Sequence, residues 1–146
     1  MIGWKNRMKS NIPNKLEFCA KIDLETYLLK KSGNGMVIEY FPYKSKKPVK
    51  ININKRDFQE IWDKIKKLDF QRYQNITEKD MEVILSQPGE SVSQFIKIII
   101  DGKIMVKKEL FILGPEMILN NDLTELLSEI NNLLAEKFRK NSKIKK

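Results

Sequence analysis

A chain of 146 residues, 41% hydrophobic and 32% charged, is long enough for one domain with its own core and too apolar for wholesale disorder. It contains no histidine and one cysteine, Cys19, which excludes Ser-His and Cys-His nucleophile pairs, imidazole proton shuttles, HExxH metal helices, intrachain disulfides and Cys-based zinc cages. The net charge of +9 is uneven: residues 1–56 hold 13 Lys/Arg against 4 Asp/Glu, residues 57–136 hold 9 against 15, and residues 137–146 hold 6 against none.

Along the chain, residues 15–24 alternate, with Leu16, Phe18, Ala20, Ile22 and Leu24 apolar between Lys15, Glu17, Lys21 and Asp23. That is the period of a half-buried strand. Tyr27–Lys30 and Met36–Tyr40 flank Lys31-Ser32-Gly33-Asn34-Gly35 and read as a hairpin around a Gly-rich turn. A short helix opened by Asp23 and closed by Gly33 is the competing reading of residues 24–32. A Lys-rich loop from Pro42 to Pro48 leads into a further alternating strand, Val49–Ile53.

Asn54 is a candidate N-cap with Asp57 in the first turn behind it. Phe58, Ile61, Trp62, Ile65 and Leu68 recur at helical spacing, which predicts an amphipathic helix over 55–69 with Trp62 in the core. Thr77 with Asp80 has the form of a capping box, and Ile76 with Met81 that of a hydrophobic staple. A short helix ending before Gln87-Pro88-Gly89-Glu90 follows, a strand over 82–86 being the competitor. Phe95–Ile100, Asp101-Gly102 and Lys103–Val106 then spell a hairpin with a type I′ turn, because Asp-Gly supplies two positive φ angles. The apolar triplet Ile98–Ile100 suggests a strand covered on both faces. Past Gly114-Pro115 the chain reads as irregular until Asp122 and Glu125, a capping box for a last helix over 122–139. Its stripe is Leu123, Leu126, Leu127, Ile130, Leu133, Leu134 and Phe138.

The order predicts an α+β fold: a single two-layer domain, with an antiparallel sheet of about four to six strands and two main amphipathic helices. Residues 1–14 form a basic N-terminal arm, 15–138 the domain and 139–146 a basic, frayed tail. No apolar run approaches the roughly 20 residues of a bilayer span, and Met1–Lys15 carries no secretory apolar stretch. With a lone thiol, the cytoplasm is the expected location.

No segment carries a complete catalytic pattern. Ser32-Gly33-Asn34-Gly35-Met36 lacks the Gly-Lys-Ser/Thr of a phosphate loop and opens no helix, so it reads as a turn. Gly89-Glu90-Ser91-Val92-Ser93 is one glycine short of a nucleophile elbow. Asp57, Glu60 and Asp63 share a helix and could be tested as magnesium ligands, but they read better as a solvated face, with Glu60 placed to pair with Lys64. Asp101-Gly102-Lys103, which has nuclease-like wording, is explained by its turn. Cys19, on the polar parity of its strand, reads as an inert thiol.

Two basic segments remain. In Phe41-Pro42-Tyr43-Lys44-Ser45-Lys46-Lys47-Pro48-Val49-Lys50 two aromatics precede four lysines, the grammar of single-stranded nucleic-acid binding. The tail Lys137–Lys146 could meet nucleic acid or an anionic membrane. Against both, 24 of 28 cations are Lys and only 4 are Arg, the better reader of phosphate. The expectation is therefore a non-enzyme without cofactor or metal: a protein-binding module of the inhibitor, immunity, adaptor or assembly-subunit type. The alternative is a nucleic-acid-binding accessory protein. In either case Phe41, Tyr43, Lys44, Lys46, Lys47 and Lys50 are the candidate contact residues, and the strand edges are a second candidate surface.

Overall fold

In the computed structural model, residues 12–21, 26–42, 47–84, 94–110 and 116–144 are described. Alternation and turn chemistry build six strands: β1 (Lys15–Lys21), β2 (Thr26–Ser32), β3 (Gly35–Phe41), β4 (Val49–Asn52), β6 (Gln94–Ile100) and β7 (Lys103–Leu110). They form one antiparallel sheet in the order β4-β3-β2-β1-β6-β7, while β5 (Met81–Ile84) and β8 (Glu116–Leu119) pair as a separate ribbon. The helices are α1 (Lys55–Ile65), the short α2 (Phe70–Gln74) and α3 (Asn121–Ile144). This is the expected α+β domain with two main helices.

The register explains the core. Ile51, Ile38, Leu29, Phe18, Ile98 and Val106 stand opposite one another in a single row across all six strands, and all are buried. Phe58, Ile61, Trp62 and Ile65 of α1 and Leu123, Leu127, Ile130 and Leu134 of α3 pack over that row. Each such side chain contributes roughly 1.5–3 kcal/mol by leaving water. Tyr27 and Tyr40, paired across β2 and β3, stack at 4.9 Å, and Phe138 of α3 closes on them at 6.0 and 5.4 Å. None of the described helices is long and apolar enough to cross a membrane.

The hairpins carry the turns their residues dictate. Asp101 and Gly102 both have positive φ, 49° and 82°, as a type I′ turn needs. The Asp101 carboxylate accepts from the Lys15 amide at 2.9 Å, tying the turn to the start of β1. Residues 26–32 are strand, so the hairpin reading holds there; Ile22, Asp23 and Leu24 lie outside the described residues.

Five local expectations are corrected. α1 stops at Ile65 instead of 69, because Asp69 accepts from the Arg72 amide at 3.2 Å and so caps α2. The Thr77/Asp80 pair forms, with the Thr77 amide donating to the Asp80 carboxylate at 3.0 Å, but it holds only a three-residue 3-10 turn. Strand β5 follows directly, since Met81–Ile84 finds a partner in β8, itself unexpected in a stretch read as irregular. Asp122 is the second residue of α3 and not its cap; its carboxylate takes the Arg72 guanidinium at 2.8 Å. Finally, Ile99 is only half-buried, so the Ile98–Ile100 triplet is not covered on both faces.

Candidate functional site

The helices pack on one face of the sheet, and among the described residues none lies over the other. Strand register writes the middle of that open face as two rows, with neighbours about 4.5–5.5 Å apart at their Cβ atoms. One runs Asn52, Val37, Lys30, Glu17, Ile99, and the next Lys50, Glu39, Leu28, Cys19, Lys97, Lys107. Two ion pairs organise it. Glu39 meets Lys50 at 3.2 Å within its row, and Glu17 reaches diagonally to Lys97 at 3.2 Å. Glu39 is only 9% exposed, with Lys50 as its ion-pair partner. Lys30, opposite Glu17, has no carboxylate within 4 Å among the described residues, because Glu17 is turned toward Lys97. Lys15, Lys30, Lys31 and Lys50 rim an open depression of about 520 Å³ that includes Val37 and Ile99.

The sequence-derived candidates fall partly on this face. Phe41 ends β3 on the same side as Val37 and Glu39 and is 37% exposed. Lys50 is on the face but is committed to Glu39. Lys47 is exposed just before β4. Tyr43, Lys44 and Lys46 lie outside the described residues. Cys19 sits in the second row, buried between Leu28 and Lys97; burial pushes its thiol up to about 11, against the pull of Lys97 and Lys21. It is a poor nucleophile.

The strand edges differ. The β7 edge is closed: the Lys107 amide donates to the Gln74 side chain of α2 at 2.7 Å, and α2 packs against the strand. β4 is four residues long and follows Pro48, features that discourage strand addition.

The carboxylates weighed as magnesium ligands do something else. Asp57 is 0% exposed, not solvated, and its Oδ1 receives Lys137 at 3.2 Å and Lys140 at 3.3 Å while Oδ2 receives Asn141 at 3.2 Å. Glu60 takes Lys137 at 3.0 Å. Asp63 points elsewhere, to Gln59 and Lys66. The cation that Asp57 and Glu60 hold is thus the ammonium of Lys137, itself 5% exposed. Burial pushes the Asp57 carboxyl up, but the bonds from Asn141, Lys137 and Lys140 outweigh it and hold it below its ordinary value. Burial likewise opposes the charge on Lys137, and its bonds to Glu60 and Asp57 prevail and raise it. These contacts also anchor the expected basic tail: α3 runs on through Arg139 and Lys140 to Ile144. Among the described residues no three His, Cys, Asp or Glu side chains converge as metal ligands would.

Sequence reasoning missed Lys30, Glu17, Lys97, Val37 and Ile99 as one surface. Their shared parity was visible within each strand, but the strand order that brings them side by side was not. No protein-family model matches the chain, and no curated protein and no solved structure matches it significantly.

Proposed function

We propose that this chain is a non-catalytic protein-binding module, of the inhibitor, immunity, adaptor or assembly-subunit type, acting in the cytoplasm. The open face of the sheet carries the reading. It alternates half-buried apolar side chains, Val37, Leu28 and Ile99, with ion-paired ones, the mixture of apolar patch and polar surround that protein interfaces use. Its charges are ordered by cross-strand neighbours, and such an array steers and registers a complementary partner. The histidine-free sequence and the high thiol of Cys19 argue in the same direction.

Nucleic acid is the second reading, favoured by the exposed ring of Phe41 on the same face as Lys30 and Lys50. Glu17 and Glu39 on that face and the shortage of Arg weigh against it. Affinity capture from the native host, followed by size-exclusion of the purified pair, tests the choice. A protein recovered in fixed stoichiometry is the expected result. Enrichment of nucleic acid alone, with oligonucleotide mobility shifts whose affinity falls steeply with salt, overturns it.

A further inference from the structure

Resting on the protein-binding reading, we infer that the lysine-rimmed depression on the open sheet face is the docking site, and that its occupant is an acidic protein segment bearing apolar side chains. The charges select the occupant. Both carboxylates of the face's two middle rows, Glu17 and Glu39, are already matched by Lys97 and Lys50 at 3.2 Å, and Glu109, on the same face of β7 opposite Phe95, lies outside the depression. What is left over is positive: Lys30 stands between Glu17 and Val37 with no anionic partner, and Lys15 on the rim has none either among the described residues. A bound segment that supplies one or two carboxylates would neutralise them without displacing an existing pair.

The floor selects the rest. Val37 and Ile99 lie three strands apart in the row that has Lys30 and Glu17 at its centre, roughly 14 Å at sheet spacing. Both are half-buried, so an apolar side chain set on either would remove further area from water. About 520 Å³ accommodates a few side chains and lies in the range of ligand-sized clefts. A phosphate backbone fits the same place badly, since a polyanion there would lie against Glu17 and Glu39.

The test is an NMR titration of the full chain, ¹⁵N-labelled, with a synthetic peptide of alternating Glu and Leu. A Lys/Leu peptide and an oligothymidylate serve as comparators. The Glu/Leu peptide is expected to shift the amides of Glu17, Lys30, Val37 and Ile99, and the Lys/Leu peptide to leave them in place. Lys30→Glu should weaken binding about tenfold or more, whereas Lys67→Glu, the same charge change at an exposed site beyond the end of α1, should not. Shifts confined to other surfaces, equal weakening by both variants, or tighter occupation of the same amides by the oligothymidylate each overturn the inference. The module reading is scored separately: if the protein captured from the host binds Lys30→Glu as tightly as wild type, the module stands and this docking site falls.

Discussion

Replacing Lys137 by methionine keeps the aliphatic stem and removes the ammonium from between Asp57 and Glu60. Asp57, at 0% exposure, would then retain Lys140 and Asn141, and the Lys140 side chain is half in solvent. Breaking one side of a buried pair costs about 3–5 kcal/mol, and the two surviving donors place this substitution at the lower end, about 3 kcal/mol. Asp57→Asn should cost about 2 kcal/mol, because Lys137 keeps Glu60 at 3.0 Å. The double variant should cost less than the sum by about 2 kcal/mol, since it leaves no buried charge unpaired. Urea unfolding followed by far-UV circular dichroism reads these values. At a slope near 2 kcal/mol per molar, Lys137→Met moves the midpoint by about 1.5 M. The pH dependence adds a second signature. The depressed Asp57 carboxyl contributes stability that is present above its unfolded value, near 3.9, and is lost as pH falls through the folded value. The raised Lys137 contributes stability present below about 10.4 and lost as pH rises through its folded value. Asp57→Asn should therefore flatten the acid limb and Lys137→Met the alkaline one. A loss below 1 kcal/mol for Lys137→Met, or strict additivity in the double variant, would refute the claim that this cluster locks α3 to α1.

Trp62, 4% exposed between helix and sheet, should cost about 3–5 kcal/mol when cut to alanine; a loss under 1 kcal/mol in the same assay would remove it from the core. Gly102→Ala should cost about 1–2 kcal/mol through backbone strain alone, since a Cβ there meets nothing within 4 Å at φ +82°. An unchanged midpoint would mean that the turn relaxes. With its thiol at about 11, Cys19 holds roughly one thiolate in a thousand at pH 8, so alkylation in denaturant should outpace alkylation of the folded protein by about a hundredfold. A folded-state rate matching a small-molecule thiol would contradict the burial.

What could be read from the chain was whatever rests on neighbours in sequence. Asp101-Gly102 determines its own turn, the alternation of β1 needs no partner to be seen, and the leucine stripe of α3 declares its buried face. What escaped depends on distant residues. β8 is a strand because β5 stands beside it, some 35 positions earlier in the chain. Asp57 looks like a solvated carboxylate until Lys137, eighty residues on, is placed against it. The candidate loop was recognised by composition, yet composition could not show that Lys50 is spent on Glu39, nor that Lys30 is left over. The open face became a surface only through the order β3-β2-β1-β6, which no local pattern encodes.

That strand order also has a consequence for synthesis. β1 pairs on one side with β2, close behind it, and on the other with β6, through partners such as Lys21 with Phe95 and Leu16 with Ile100. As the chain leaves the ribosome, β1 to β4 can assemble once residue 52 has emerged. The far edge of β1, with Leu16 and Phe18 along it, must wait for residue 100. At about 5–20 residues per second that interval lasts roughly 2–10 s. Throughout it an apolar strand edge faces solvent with its backbone groups unpaired, the arrangement that recruits strands from other chains. A nascent chain halted between residues 60 and 95 is accordingly the form most open to aggregation, and the one on which a ribosome-bound chaperone has most to hold.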